Sequence, residues 1–90
     1  MDVTNNEAKS RFEMTVDGST AVAEYERREG EIIFTHTEVP EAIGGRGVAQ
    51  KLVKGALDQA REQNLKVVPL CGYVEKFIER HPEYKDLVTE

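Results

Sequence analysis

A glycine-rich turn carries the most chemistry in this sequence: residues 43–53 read Ile-Gly-Gly-Arg-Gly-Val-Ala-Gln-Lys-Leu-Val. The glycines come directly before an amphipathic segment that is typical of a helix, and a strand-like segment precedes them. The first N–H groups of a helix have no intrahelical partner, and they lie at the positive end of the helix dipole. Because glycines let a ligand approach the backbone closely, the turn predicts a seat for a phosphate or pyrophosphate.

The turn by itself leaves a structural alternative open. It lacks the Gly-Lys-Ser/Thr ending of a Walker A loop, and its spacing does not fit a Rossmann fingerprint. A tight connection that needs glycine only for its backbone geometry would have the same residues. The neighbouring residues must therefore decide between the two interpretations.

Cys71 is a second candidate, because it follows a predicted strand and precedes a predicted helix. A cysteine at a helix N-terminus can have a stabilised thiolate and become more nucleophilic. It could act as a nucleophile and hold a transferred group transiently. The alternative is a small buried residue, since free cysteine is among the most buried residue types.

His36 and Glu38 are candidates for a general base. They are two residues apart in a predicted strand, so their side chains point to the same face. Either could accept a proton from a reacting group, although a hydrogen-bonded histidine beside a solvated carboxylate is the simpler interpretation. His81 is predicted to end a helix, and Tyr73 and Tyr84 to lie in the core or at its rim. No zinc-ligand spacing is present, so no metal site is predicted.

The elements that must position these residues follow from periodicity. Three segments before the turn alternate as strands do and predict an antiparallel meander: residues 11–16, 20–27 and 32–39. Asp17-Gly18 is a strong turn signal, so the first two segments are predicted to form a β-hairpin. Pro40 ends the third strand, because it cannot donate to the ladder. A helix is predicted over about residues 47–63, then a short buried strand at 65–70, a helix at 72–80 and a final turn from Pro82. The strand-helix-strand order indicates that the last two strands are parallel, so the fold class is α+β.

Length and composition favour one ordinary domain. The chain has 90 residues, and we expect a flexible polar N-terminus at 1–10 followed by a single domain at 11–90. The net charge of -5 argues against a general nucleic-acid binder. The single cysteine allows no intramolecular disulfide, which favours a reducing, cytoplasmic location. No apolar run is long enough for a membrane span or a signal peptide.

Around the turn, the chain resembles the GNAT superfamily of N-acetyltransferases. Gly47-Val48-Ala49 matches the second half of the family signature, while Gly44 stands where the family has an Arg or Gln. The resemblance implies that loop amides hold the pyrophosphate of acetyl-CoA and that two splayed strands admit the pantetheine arm. It assigns the pyrophosphate to the turn and pairs the backbone of Val39 with the pantetheine or acetyl group. The implied turn residues are Gly44, Gly45, Arg46, Gly47, Val48 and Ala49.

A closer resemblance is to a short GNAT-like subfamily, sometimes called YjdJ-like. Its matches include Thr-His-Thr-Glu-Val-Pro at residues 35–40, Val-Val-Pro-Leu-Cys at 67–71 and Arg-His-Pro-Glu-Tyr at 80–84. Together with the turn they span most of residues 25–84 in the right order. This form lacks the N-terminal helices with which larger members enclose their acceptor.

The resemblance implies a minimal acetyl-CoA-dependent N-acetyltransferase, with acetyl-CoA as co-substrate and no metal. An unidentified amine would attack the thioester directly, and the acidic net charge would weakly favour a cationic acceptor. The small size favours an alternative, a CoA- or acyl-CoA-binding module without efficient transfer. A third option is an interaction domain in which the turn is purely structural.

Overall fold

Over residues 3–88, which the computed structural model describes, five strands and two helices form an α+β fold. The strands lie side by side in chain order, the first four antiparallel and the last parallel to its neighbour. The predicted meander and β-α-β unit are therefore confirmed. The elements are β1 (Thr4–Asn6), β2 (Arg11–Val16), β3 (Ser19–Arg28), β4 (Glu31–Glu38), α1 (Val48–Glu62), β5 (Lys66–Pro69) and α2 (Gly72–Arg80).

The hairpin of β2 and β3 forms where the Asp17-Gly18 signal predicts it. Both turn residues have positive φ, 48° and 81°, which matches the right-handed twist of the flanking strands. The alternation of β2 and β3 then puts one apolar set on the face that packs under α1. That set is Phe12, Met14, Val16, Ala21, Ala23 and Tyr25, all buried.

The N-terminal segment differs from the sequence prediction, which gave it no regular structure. β1 pairs antiparallel with β2, and a short 3-10 helix at Glu7–Lys9 leads into β2. The hydroxyl of Tyr25 donates to Asn5 Oδ1 at 2.6 Å. Polar side chains rather than an apolar alternation hold this strand, so hydrophobic periodicity could not reveal it. Residues 1 and 2 of the predicted flexible segment lie outside the described residues.

α1 covers the sheet with an apolar stripe at helical spacing, as predicted. Its buried residues are Val48, Leu52, Val53, Ala56, Leu57 and Ala60. Gly55 lies against Val3, and an added Cβ there would meet the Val3 side chain at 2.6 Å. The glycine in the helix interior is therefore explained by the close passage of the N-terminal segment.

β4 contains a bulge that decides which side chains face α1. Tyr25 of β3 pairs with Phe34, but the adjacent Glu24 pairs with His36, so β4 has one extra residue, Thr35. Directly paired residues share a face of the sheet. Beyond the bulge, Thr37 therefore lies on the α1 side opposite buried Ala23, and His36 lies on the other side.

Candidate active site

The glycine turn enters α1 through two residues in left-handed backbone geometry. Gly45 has φ 78°, and Gly47, the N-cap of α1, has φ 74°. This region of backbone geometry is unfavourable for residues other than glycine. Gly44 has φ -67°, so its backbone does not require glycine. Ile43 is fully buried just before the turn and anchors it to the core.

Backbone N–H groups at this turn lack acceptors. Within residues 3–88, no acceptor is found for the N–H groups from Gly45 to Gln50, and the first helical hydrogen bond is donated by Lys51 to Gly47. No side chain caps the helix and its first turn contains no acidic residue. A row of unpartnered donors at the positive end of a helix is suited to an anion.

Arg46 adds a positive charge to the turn, but its guanidinium forms an ion pair with Asp17 in the β2–β3 turn. Both side chains are exposed, so the pair contributes at most about 1 kcal/mol. An anion at the turn could therefore displace Asp17 at small cost. The side-chain contribution of Arg46 is secondary to that of the backbone donors.

β4 and β5 separate beside the turn. Their parallel pairing ends at Phe34 and Pro69, although β4 continues to Glu38. The N–H of Cys71 donates to the Phe34 carbonyl at 2.9 Å, and the chain then turns away into α2. The β5-facing edge of β4 after Phe34 is thus left without a strand partner among the described residues, and an extended ligand could pair with it.

Cys71 lies at the separation of the two strands. It is half-buried at the N-cap of α2, and its Sγ lies 3.4 Å from Thr37 Oγ1. Burial raises the pKa of the Cys71 thiol, but hydrogen bonds from Thr37 and from the backbone N–H groups of Val74 and Tyr73 outweigh burial and lower the pKa. The surroundings of the sulfur therefore favour the thiolate more than free solution does.

The three predicted catalytic residues do not converge. His36 and Glu38 share a face, as predicted, but it is the face of β4 away from Thr37 and Cys71. Both side chains are exposed. Val39 follows the end of β4 and packs half-buried against the core, at the side of the strand separation.

The structure also shows where the two tyrosine candidates and His81 lie. Tyr84 is buried, and its hydroxyl donates to Asp58 Oδ1 at 2.6 Å. His81 ends α2, as predicted, and its Nδ1 donates to the Phe77 carbonyl at 2.9 Å. Tyr73 instead lies exposed two residues from Cys71. Tyr84 and His81 are thus held by partners within the fold, and neither points into the opening between β4 and β5.

Sequence reasoning missed two residues beside Cys71. The sequence predicts Leu70 in a buried strand, but β5 ends at Pro69 and Leu70 is 69% exposed. That part of the prediction is wrong, because the chain leaves the sheet one residue earlier to begin α2. The sequence predicts no role for Thr37, because only the bulge in β4 turns its side chain toward the sulfur of Cys71.

Residues 3–88 contain no cluster of three or more His, Cys, Asp or Glu side chains with the geometry to hold a metal ion. Over the same range, no helix has the combined length and apolar character needed to cross a membrane. The site that the structure presents is thus built from backbone donors, one cysteine and a strand edge.

Comparison with known proteins identifies the class of protein to which this fold belongs. Residues 11–87 match the family described as GCN5-related N-acetyl-transferase, and the chain belongs to this family. The predicted GNAT membership is confirmed, while the YjdJ-like subfamily stays a prediction.

Individual relatives agree with the family match. The chain is 35% identical to protein NATD1 of Danio rerio, a match covering 96% of this chain and 83% of the relative. It is 36% identical to protein NATD1 of Homo sapiens, with 89% and 74% covered. The solution NMR structure of a GCN5-like protein from Staphylococcus aureus superposes with a TM-score of 0.74 at 28% identity, covering 98% of this chain and 87% of that one.

Proposed function

We propose that this protein is an acetyl-CoA-dependent N-acetyltransferase that transfers the acetyl group directly to an amine. One observation carries the proposal: unpartnered backbone donors from Gly45 to Gln50 lie next to the place where β4 and β5 separate. The donors suit the pyrophosphate, and the open edge of β4 suits the amide-containing pantetheine arm. A cytoplasmic location belongs to the same proposal.

In the proposed reaction, the amine nitrogen attacks the thioester carbonyl carbon, and the carbon–sulfur bond breaks as the amide forms. The amine loses a proton, and the departing thiolate gains one. Backbone N–H groups near Val39 would stabilise the negative charge on the carbonyl oxygen in the transition state. Most of the rate enhancement would come from holding the two reactants together.

His36 and Glu38 stay proposed bases for the amine proton. Their place on the far face of β4 means that one of them could act only through water or after a movement of the strand end. Replacing each with glutamine tests this: the turnover of an active base falls by about 10²–10⁴-fold, whereas binding of acetyl-CoA stays unchanged.

A covalent route through Cys71 is an alternative to direct transfer. The lowered pKa of the Cys71 thiol is the observation in its favour. The thiolate would attack the thioester to give acetyl-Cys71 and free CoA, and the amine would then take the acetyl group. Intact-mass measurement after incubation with acetyl-CoA separates the routes. Direct transfer predicts that Cys71→Ala still turns over, and an acetyl mass that persists in Cys71→Ala contradicts the covalent route.

The second candidate is a CoA- or acyl-CoA-binding module without efficient transfer. The observation in its favour is that His36 and Glu38 lie on the opposite face of β4 from Cys71, so the opening brings no base together with the sulfur. Calorimetry with acetyl-CoA, CoA and a CoA-free control, followed by thiol release with a panel of amines, distinguishes the candidates. Binding without thiol release favours the module, and no binding at sub-millimolar concentration rejects both.

A further inference from the structure

Cys71 is tied to β4 through both its backbone and its side chain. Its N–H donates to the Phe34 carbonyl at 2.9 Å, and its Sγ lies 3.4 Å from Thr37 Oγ1. Its carbonyl accepts from the N–H of Glu75, in the first turn of α2, at 3.1 Å. Because these partners lie on two different elements, they hold the sulfur beside the open edge of β4.

The two threonines that flank the bulge of β4 have different surroundings. Thr35 is exposed, and its hydroxyl donates to the Glu24 carbonyl at 3.4 Å. Thr37 is half-buried, lies opposite buried Ala23 and has the sulfur of Cys71 as its partner. A β-branched side chain has few favourable rotamers, so the backbone at Thr37 also restricts the direction of its hydroxyl.

A hydroxyl is suited to both protonation states of a thiol, because it can accept from the S–H group and donate to the thiolate. The bond to the charged form is the stronger one, so the hydroxyl favours the thiolate. Burial raises the pKa of the Cys71 thiol, and hydrogen bonds from Thr37 and from backbone N–H groups lower it. None of these contributions comes from a charged side chain. His36 and Glu38 lie on the other face of β4, and Glu75 is exposed on α2.

We propose that Thr37 is a positioning residue whose hydroxyl donates a hydrogen bond to the Cys71 sulfur and holds it as a nucleophile at the open edge of β4. For acetyl transfer, this rests on the proposed function in its covalent form. The sulfur then attacks the thioester carbonyl carbon, the bond from that carbon to the CoA sulfur breaks, and CoA leaves as a thiolate. Thr37 forms no covalent bond in this step and keeps its proton.

Alkylation with iodoacetamide, followed by intact mass, tests the assignment without acetyl-CoA. Cys71 is the only cysteine in the chain, so the added mass reports on this sulfur alone. Near neutral pH, Thr37→Val should react about 3–10-fold more slowly than the wild type. The lost hydrogen bond lowers the thiolate fraction, and the higher nucleophilicity of the more basic sulfur offsets part of that loss. At a pH where both sulfurs are ionised, this deficit should disappear.

Two further variants separate the hydroxyl from the shape of the side chain. Thr37→Ser keeps the hydroxyl and should react at nearly the wild-type rate. Thr35→Val makes the same substitution two residues earlier, away from the sulfur, and should keep the wild-type pH profile. Thermal melting verifies that each variant folds. If Thr37→Val does not fold, the comparison of Thr37→Ser with Thr37→Ala measures the same hydroxyl.

Three results would overturn the proposal: an unchanged pH profile in Thr37→Val, a Thr37→Ser variant as slow as Thr37→Val, or an equal loss in Thr35→Val. Incubation with acetyl-CoA separates this inference from the proposed function. We expect acetylation of Cys71 to be slower in Thr37→Val and to recover in Thr37→Ser. If the wild type gains no acetyl mass, the covalent form of the proposed function fails, and the alkylation rates still decide the role of Thr37.

Discussion

The two ends of α1 differ in how their polar groups are satisfied. At the C-terminal end, Asn64 adopts φ 59° and the N–H of Leu65 donates to the Ala60 carbonyl at 2.9 Å, which closes the helix. Arg61 there pairs with Asp86 at 2.8 Å. At the N-terminal end, the N–H groups from Gly45 to Gln50 have no acceptor in the described chain. One end is thus closed by the fold, whereas the backbone donors of the other end have no partner among the described residues.

Under the proposed function, the same helix stabilises the fold at one end and binds a ligand at the other. The tertiary contacts that fix α1 come from its stripe and its C-terminal end, so the N-terminal end can keep unpaired donors without losing the helix. Four predictions test this division, beginning with the largest expected effect.

A matched pair of leucine truncations compares the closed core with the surface near the site. Leu57 is fully buried in α1, whereas Leu70 is 69% exposed beside Cys71. Leu57→Ala should lower the free energy of unfolding by about 2–5 kcal/mol because it leaves a cavity. Leu70→Ala should change it by less than about 0.5 kcal/mol. Urea denaturation measures both, and equal losses would contradict the difference in burial between the two positions.

A matched pair of glycine substitutions tests the open end. Gly47→Ala puts a side chain at φ 74°, whereas Gly44→Ala puts one at φ -67° with its nearest neighbour at an ordinary 3.5 Å. The first should cost about 1–2 kcal/mol in backbone strain or distort the turn, and it should weaken CoA binding by about tenfold. Gly44→Ala should leave both nearly unchanged. Calorimetry and thermal melting would detect the difference, and similar behaviour of the two variants would argue against the turn geometry.

Gly55 tests the middle of α1, where the N-terminal segment passes. Alanine should favour the helix by about 1 kcal/mol, but its Cβ would lie 2.6 Å from the Val3 side chain. We therefore expect Gly55→Ala to give no gain in stability in the wild-type chain. In a Val3→Gly background the same substitution should stabilise by about 1 kcal/mol. A gain of that size in both backgrounds would show that Val3 does not constrain the helix.

The smallest effect concerns acid sensitivity near the closed end. Burial raises the pKa of Asp58, but hydrogen bonds from Tyr84 and Lys54 outweigh it, so the folded pKa is lowered. Such a group stabilises the fold above its unfolded pKa, and this stability is lost as pH falls through the folded pKa. Because the Asp58 side chain is 43% exposed, the contribution should stay below about 1 kcal/mol.

Asp58→Asn provides the measurement for that contribution. Unfolding free energies at about pH 6 and about pH 3 should differ less in Asp58→Asn than in the wild type, because one carboxylate no longer titrates. An unchanged difference between the two pH values would assign the acid sensitivity to other groups. Asp86 is the first of these, since hydrogen bonding to Arg61 also lowers its pKa.

Much of the fold could be predicted because it follows from local signals. The stripe at helical spacing predicted a helix over residues 47–63, and α1 spans Val48–Glu62. Alternation and the Asp17-Gly18 turn predicted the β2–β3 hairpin. β1 was missed because its residues are polar and gain their place from distant partners, such as Tyr25. Predictions of residue roles at the site stay predictions.

The sequence by itself determined the glycine turn and the periodicity of α1. It also determined that His36 and Glu38 share one face of their strand. These features depend only on residues that are close together in the chain. Only the tertiary structure decided which face that was. The extra residue in β4 turns Thr37 toward Cys71 and His36 away from it, and such a bulge is set by the register with β3. Register depends on contacts between distant segments, so no local pattern could have revealed it.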